Sequence, residues 1–199
     1  MIAIIDYGMG NLRSVQKAFE KVGADAYITD KTHDILRAKK IVLPGVGAIQ
    51  PAVEKLQHLN LVAPIKESIK NKKPFLGICL GLQLLFEKSD EGGQVQGLGI
   101  LKGEVRKFSS LKVPQIGWNQ INIAQPKCLL FDEIKNQSAT YFCHSYYVSP
   151  QDKNIISSTT DYGIEFCSSI CSGNLYGVQF HPEKSQDVGL KIIENFVKL

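Results

Sequence analysis

Three residues in this chain have the types and settings needed to make and break an acyl bond. Cys79 stands in Gly77-Ile78-Cys79-Leu80-Gly81, with a glycine two positions to either side. That spacing copies the nucleophile elbow G-x-S-x-G with sulfur in place of oxygen, in which the glycines let a strand and a helix crowd a strained turn. His181 and Glu183 follow the run Leu175 to Phe180 and flank Pro182. A proline holds the residue before it extended, so the two side chains can project to one side. A carboxylate there accepts the imidazole Nδ1–H and leaves Nε2 to face the cysteine. The expectation is a Cys79, His181, Glu183 triad, its thiolate favoured by the imidazolium and by the positive end of a helix beginning at Leu80. The targets of such a thiolate are acyl carbons.

The elements that must position these groups can be read from the apolar pattern. Phe75 to Ile78, after Pro74, is a strand buried on both faces, and Leu80, Leu84 and Phe86 recur roughly at helical spacing, which predicts a helix running on from the cysteine. Ile2 to Ile5 is a strand, Tyr7 to Asn11 a glycine-rich turn, and Leu12, Val15, Phe19 and Val22 one face of a helix stopped by Gly23. Ala24 to Thr29 and Ile41 to Leu43 read as further strands. Strands alternating with helices predict an α/β fold with a doubly wound, mostly parallel sheet, whose carboxyl-end loops gather at one edge. The Pro44-Gly45-Val46-Gly47 loop should then neighbour Cys79 and turn backbone N–H groups toward it. From Glu104 to about Gly177, short β-rich runs (104–108, 120–123, 141–148, 155–160, 165–169) predict an antiparallel extension of the same sheet. Asp187 to Leu199 is an amphipathic closing helix.

At 199 residues the chain suits one well-buried core, so a single domain over 1–199 is expected. No apolar run reaches membrane-spanning length, and MIAIIDYGMGN has neither a basic leader nor a cleavage site, which predicts a soluble cytoplasmic protein. Five scattered cysteines at 79, 128, 143, 167 and 171 argue for reduced thiols. A net charge of +4 without a long basic run excludes nucleic acid as the obvious partner. The Tyr7 to Asn11 turn lacks the glycine spacing of a dinucleotide site and the Gly-Lys-Ser/Thr of a P-loop. A zinc site is disfavoured too, because paired ligand spacing is missing. Cys167 and Cys171 are expected on one face of a β-rich run, no second histidine lies near His181, and His33 and His58 fall in polar helical contexts.

The triad residues, the Pro44 to Gly47 loop and the elbow Gly77-Ile78-Cys79-Leu80-Gly81-Leu82-Gln83 resemble the class I (triad) glutamine amidotransferases. Asp6-Tyr7-Gly8-Met9-Gly10-Asn11, Pro114-Gln115-Ile116-Gly117-Trp118-Asn119, His144-Ser145-Tyr146-Tyr147 and His181-Pro182-Glu183-Lys184-Ser185 resemble, more narrowly, the glutaminase subunits of imidazole glycerol phosphate synthases. The likeness runs over essentially the full length. It implies one glutaminase domain that hydrolyses L-glutamine without a cofactor, the backbone N–H groups of Leu80 and of Val46 or Gly47 meeting the oxyanion. It implies Gly47, Gln83, Ser145 and Tyr146 as glutamine-binding residues. It also implies a HisF-like (β/α)8-barrel synthase as heterodimer partner, reached through Asn11, Trp118, Asn119 and Lys184. Two readings stay open here: Trp118 as an interface anchor or as core packing, and Asn11 as a coupling residue or as a helix cap. The same triad would also serve a glutaminase feeding the amidation of a cell-surface sugar, or a γ-glutamyl hydrolase acting alone.

Overall fold

Five apolar runs pair in parallel in the order Ala26–Thr29, Ile2–Ile5, Lys40–Gly45, Phe75–Cys79, Leu175–Val178. They form the centre of a computed structural model that describes residues 1–109, 111–125 and 127–199. Buried residues fill the four strands inside the edge strand Ala26–Thr29 almost completely, as a sheet covered on both faces requires. The period of two decides what each side chain meets. Ile2 and Ile4 pack with Val15, Phe19, Ile192 and Phe196 from the helices Leu12–Lys21 and Gln186–Lys198. Ala3 and Ile5 pack with Ile35, Leu56 and Ile65 from the helices Thr32–Arg37, Ile49–His58 and Val62–Lys70. The sheet is therefore doubly wound. Each large side chain so buried contributes about 1.5–3 kcal/mol, which is what holds the carboxyl ends of the strands in place as a platform.

Beyond Leu175–Val178 the sheet continues antiparallel through Glu165–Ser172, Tyr146–Pro150 and Leu101–Lys107. Phe86–Ser89 joins Leu101–Lys107 in parallel, and Val95–Gln96 closes that edge. Among the described residues no helix is long and apolar enough to cross a membrane.

Three local expectations are corrected. The helix after Cys79 is a single turn, Leu80–Gln83, and Phe86 opens a strand instead of continuing it. Leu84, Leu85 and Phe86 are all fully buried, so the run has no polar face, and a later loop takes the carbonyls a longer helix would use: Leu98 N–H donates to Leu84 O, and Ile100 and Leu101 N–H to Leu85 O. The expected strand 141–148 is two strands broken at Ser145. Ala139–His144 pairs with Gln115–Gln120 in a separate ribbon, while Tyr146–Pro150 belongs to the main sheet. Cys167 and Cys171 do not share a face, because a bulge near Ser168 reverses the alternation and sends them into opposite cores.

Candidate active site

The carboxyl ends of the parallel strands deliver the chemistry. At the end of Phe75–Cys79 the nucleophile candidate has φ +54° and ψ −109°, a backbone a β-carbon-bearing residue adopts only at a cost of order 1–3 kcal/mol. Both flanking glycines are needed for it. A β-carbon on Gly77 would lie 2.8 Å from the Gly81 backbone, and one on Gly81 would collide with the Leu43 carbonyl oxygen. Strand and helical turn thus touch backbone to backbone, and Cys79 is lifted to the sheet edge with its side chain nearly buried. Leu80 opens the turn, where its N–H has no acceptor within the helix.

His181 follows the strand Leu175–Val178, extended at φ −99° and ψ 97°, and Pro182–Lys184 then form one 3₁₀ turn. That turn, rather than continued extension, brings Glu183 Oε1 to 2.8 Å from His181 Nδ1, with both side chains buried. Burial alone would lower the imidazole pKa, but hydrogen bonds and charge from Cys79 and Glu183 outweigh it and push it up to about 10. The ring therefore favours the imidazolium when the sulfur beside it is ionised. Glu183 Oε2 is buried with no partner among the described residues.

A cavity of about 450 Å³ opens over the sulfur, and its wall gathers residues distant in sequence: Val46, Gly47, Leu80, Gln83, Ser145 and Tyr146, with Lys184 at the side. Cys79 and His181 line it together, and Glu183 supports His181 from behind. Across the cavity, Gly47 takes φ +97° and Val46 is 43% exposed. Asn11, Trp118 and Asn119 lie outside the cavity wall. Asn11 caps Leu12–Lys21, its Oδ1 accepting from Ser14 N–H at 3.3 Å. Trp118 is half exposed on the ribbon, edge-on to Tyr141, which excludes the core-packing alternative, and Lys184 Nζ lies 5.7 Å from the centre of the same Tyr141 ring. Asn119 is tied down by a 2.8 Å bond to the Asp161 carbonyl. His33 and His58 are exposed.

A thiol, a buried imidazole and a buried carboxylate ordered in this way around one cavity are the parts of a nucleophilic acyl-transfer site. The family model for glutamine amidotransferase class-I matches residues 3–199. The chain belongs to this family. Among its relatives, the imidazole glycerol phosphate synthase subunit HisH of Moorella thermoacetica is 51% identical over 100% of this chain and 94% of that protein. The HisH of Syntrophotalea carbinolica is 50% identical over 98% of each. Within the glutamine amidotransferases the chain thus belongs with the HisH subunits. The fold agrees with more distant solved structures, among them PurLQS from Thermotoga maritima (TM-score 0.77, 18% identity, 99% of this chain and 97% of that one) and a glutamine amidotransferase (TM-score 0.77, 14% identity, 99% and 100%).

Viewed as a class I glutamine amidotransferase, the site has members that sequence reasoning passed over. Glu91, inside what reads only as a glycine-rich break, places a carboxylate on the cavity wall, with Oε2 accepting the Ile49 N–H at 2.8 Å. Gln179 is fully buried, and its Nε2 lies 3.6 Å from the Cys79 sulfur. The available signal for Gln179 was a lone amide in the apolar run Leu175 to Phe180. Glu91 had no local signal at all.

Proposed function

We propose that this chain is a glutaminase that hydrolyses L-glutamine to L-glutamate and ammonia, and that it passes the ammonia to a (β/α)8-barrel synthase subunit for imidazole ring formation in histidine biosynthesis. The observation that carries the reading is the buried Cys79, His181, Glu183 constellation, with Cys79 and His181 lining one cavity and imidazole and carboxylate 2.8 Å apart. Half identity to HisH subunits over the whole chain supports the choice of pathway.

The chemistry follows from the groups present. The Cys79 thiolate adds to the side-chain amide carbon of glutamine, and the electron pair of the carbonyl moves onto oxygen. Leu80 N–H and an N–H of Val46 or Gly47 receive that charge. His181, protonated on Nε2 and held by Glu183 on Nδ1, gives its proton to the departing nitrogen, and ammonia leaves as the C–N bond breaks. His181 then takes a proton from water as the water attacks the thioester, and thiolate is released with glutamate. Gly47, Gln83, Ser145 and Tyr146 hold the substrate, and Glu91 supplies the counter-charge for its α-ammonium. Ammonia left in water at neutral pH is mostly ammonium and no longer a nucleophile, which is the physical reason for direct delivery. The exposed surface formed by Trp118, Asn119 and Lys184, with the Asn11 turn, is the docking face in this reading.

Glutamate release measured with and without a HisF-like barrel and its nucleotide ligand tests the proposal. Weak activity alone and strong activity with the barrel are expected, together with selective labelling of Cys79 by a glutamine-mimicking electrophile. Equal turnover in both conditions points to an independent γ-glutamyl hydrolase, and no labelling at Cys79 means the chain is not a glutaminase.

A further inference from the structure

Three buried side chains and one backbone carbonyl form an unbroken line that ends on the nucleophile. Gln83 Nε2 donates to the Tyr146 carbonyl at 3.0 Å and to Gln179 Oε1 at 3.1 Å. The Tyr146 carbonyl also lies 2.7 Å from His144 Nδ1. At the other end Gln179 Nε2 faces the Cys79 sulfur at 3.6 Å. Side-chain amides can be turned end for end, so the chemistry of the line decides which atom points where. A backbone carbonyl only accepts, so the nitrogen of Gln83 must face Tyr146 and, with its second hydrogen, Gln179. The oxygen of Gln179 must then be the acceptor, which leaves its N–H aimed at sulfur. His144 is the far anchor: burial in the Phe108, Phe142 and Phe166 ring cluster holds its pKa down to about 4, so its Nδ1–H donates to Tyr146 as the neutral tautomer.

We infer that Gln179 is a catalytic residue of this site, donating its side-chain N–H to the Cys79 sulfur, and that Gln83, the Tyr146 carbonyl and His144 are positioning groups that keep the amide from turning its oxygen to the sulfur. Besides His181, the sulfur has an acceptor beside it, the Cys143 carbonyl at 3.9 Å. A thiol donates to that carbonyl; a thiolate needs a donor, and Gln179 supplies one without moving. The amide contacts the sulfur through each half of the reaction, when sulfur attacks and when it leaves as thiolate. With Gln179 turned, its oxygen would face the negative sulfur instead, which weakens the nucleophile.

The effect on turnover rests on the glutaminase reading, whereas the effect on the sulfur does not, and the test separates them. Cys79 is alkylated with iodoacetamide at pH 7 in the whole chain, without glutamine or partner, and the rate is resolved by peptide mapping with exposed Cys143 as internal reference. Gln179→Leu is expected to slow alkylation at Cys79 about fivefold and leave Cys143 unchanged. Gln179→Met, which fills similar volume, is expected to do the same, and Gln83→Leu to give a smaller slowing because the Gln179 amide can then turn. In the partner-stimulated assay Gln179→Leu should lower kcat and hold KM within about twofold, as an interaction made to the reacting atom does. An unchanged Cys79 rate in Gln179→Leu and Gln179→Met, or parallel changes at Cys79 and Cys143, overturns the inference. Slowed alkylation in a chain without glutaminase activity would uphold it and remove the functional reading instead.

Discussion

The two walls that face the sulfur are built differently. On one side stand His181 with Glu183, and Gln179 with Gln83, Tyr146 and His144, nearly all buried and joined by directional hydrogen bonds of 2.7–3.1 Å. On the other stands the Gly45 to Gly47 loop, which is shaped by contact. Tyr7 packs its hydroxyl directly against Gly45, Met9 Cε lies 3.0 Å from where a β-carbon of Gly47 would be, and Gly10 sits over the Gly45 backbone. The Tyr7 hydroxyl is buried with no hydrogen-bond partner among the described residues, and burial holds it well above the usual tyrosine range. Directional hydrogen bonds restrict a wall to one geometry, whereas glycines packed only by shape are not restrained in that way. In the proposed reading the acid–base wall is thus set by the fold, and the glycine loop, the proposed oxyanion side, is where docking of another molecule would act.

The largest expected effects come from breaking the set wall. Cys79→Ala and His181→Ala should each lower partner-stimulated glutamate release by about 10⁶-fold, because nucleophile and base act as one unit. Glu183→Gln should cost about 10⁴-fold, since the group that orients the imidazole forms no bond to substrate. A Glu183→Gln enzyme as inactive as Cys79→Ala, with its fold intact, would make Glu183 more than an orienting group.

The next effect reads the same wall through pH. His144 stays neutral in the folded protein down to about pH 4, while the unfolded histidine takes a proton near its ordinary 6.5. As pH falls through that interval the unfolded chain binds the extra proton, so stability present above about 6.5 is lost progressively toward 4, by about 3 kcal/mol in all. His144→Asn keeps an N–H to offer the Tyr146 carbonyl and removes the titration. Urea unfolding at pH 7 and pH 4 should therefore show an acid loss smaller by about that amount in the variant. Parallel losses in both proteins would mean that His144 is not the titrating group.

The contrast between the walls also explains what could be read beforehand. The Gly-x-Cys-x-Gly elbow, the His-Pro-Glu pair and the parallel core are local signals, each written in a few adjacent residues or in a period of two. Gln179 and Glu91 matter only because of neighbours elsewhere in the chain: Gln83 lies 96 positions before Gln179, and Ile49 lies 42 before Glu91. The one-turn helix after Cys79 was illegible for a similar reason, since the Leu84 and Leu85 carbonyls are taken by a loop that arrives later. The bulge near Ser168 leaves no mark in composition, yet it reverses the faces of Cys167 and Cys171.

The smallest effect sharpens the comparison from the side of the contact-shaped wall. Asn11 makes the N-cap bond to Ser14 at 3.3 Å, worth about 1 kcal/mol, and follows Gly10, where a β-carbon would stand 3.6 Å from Gly45 Cα. The Asn11 turn is therefore joined to the oxyanion loop by packing, and Asn11 itself, exposed and outside the cavity wall, contributes nothing to the chemistry. Asn11→Ala is expected to lower barrel-stimulated glutaminase activity several-fold, with the basal rate held within about twofold, while unfolding stability drops by about 1 kcal/mol. Asn11→Ser separates the two contributions, because serine caps a helix about as well as asparagine. If stability returns with serine and the stimulation ratio stays low, Asn11 carries coupling from the docking face to the loop beside Cys79. If the stimulation ratio returns together with stability, or never fell in the alanine variant, Asn11 is a cap alone and the coupling must run through Tyr7 and Met9.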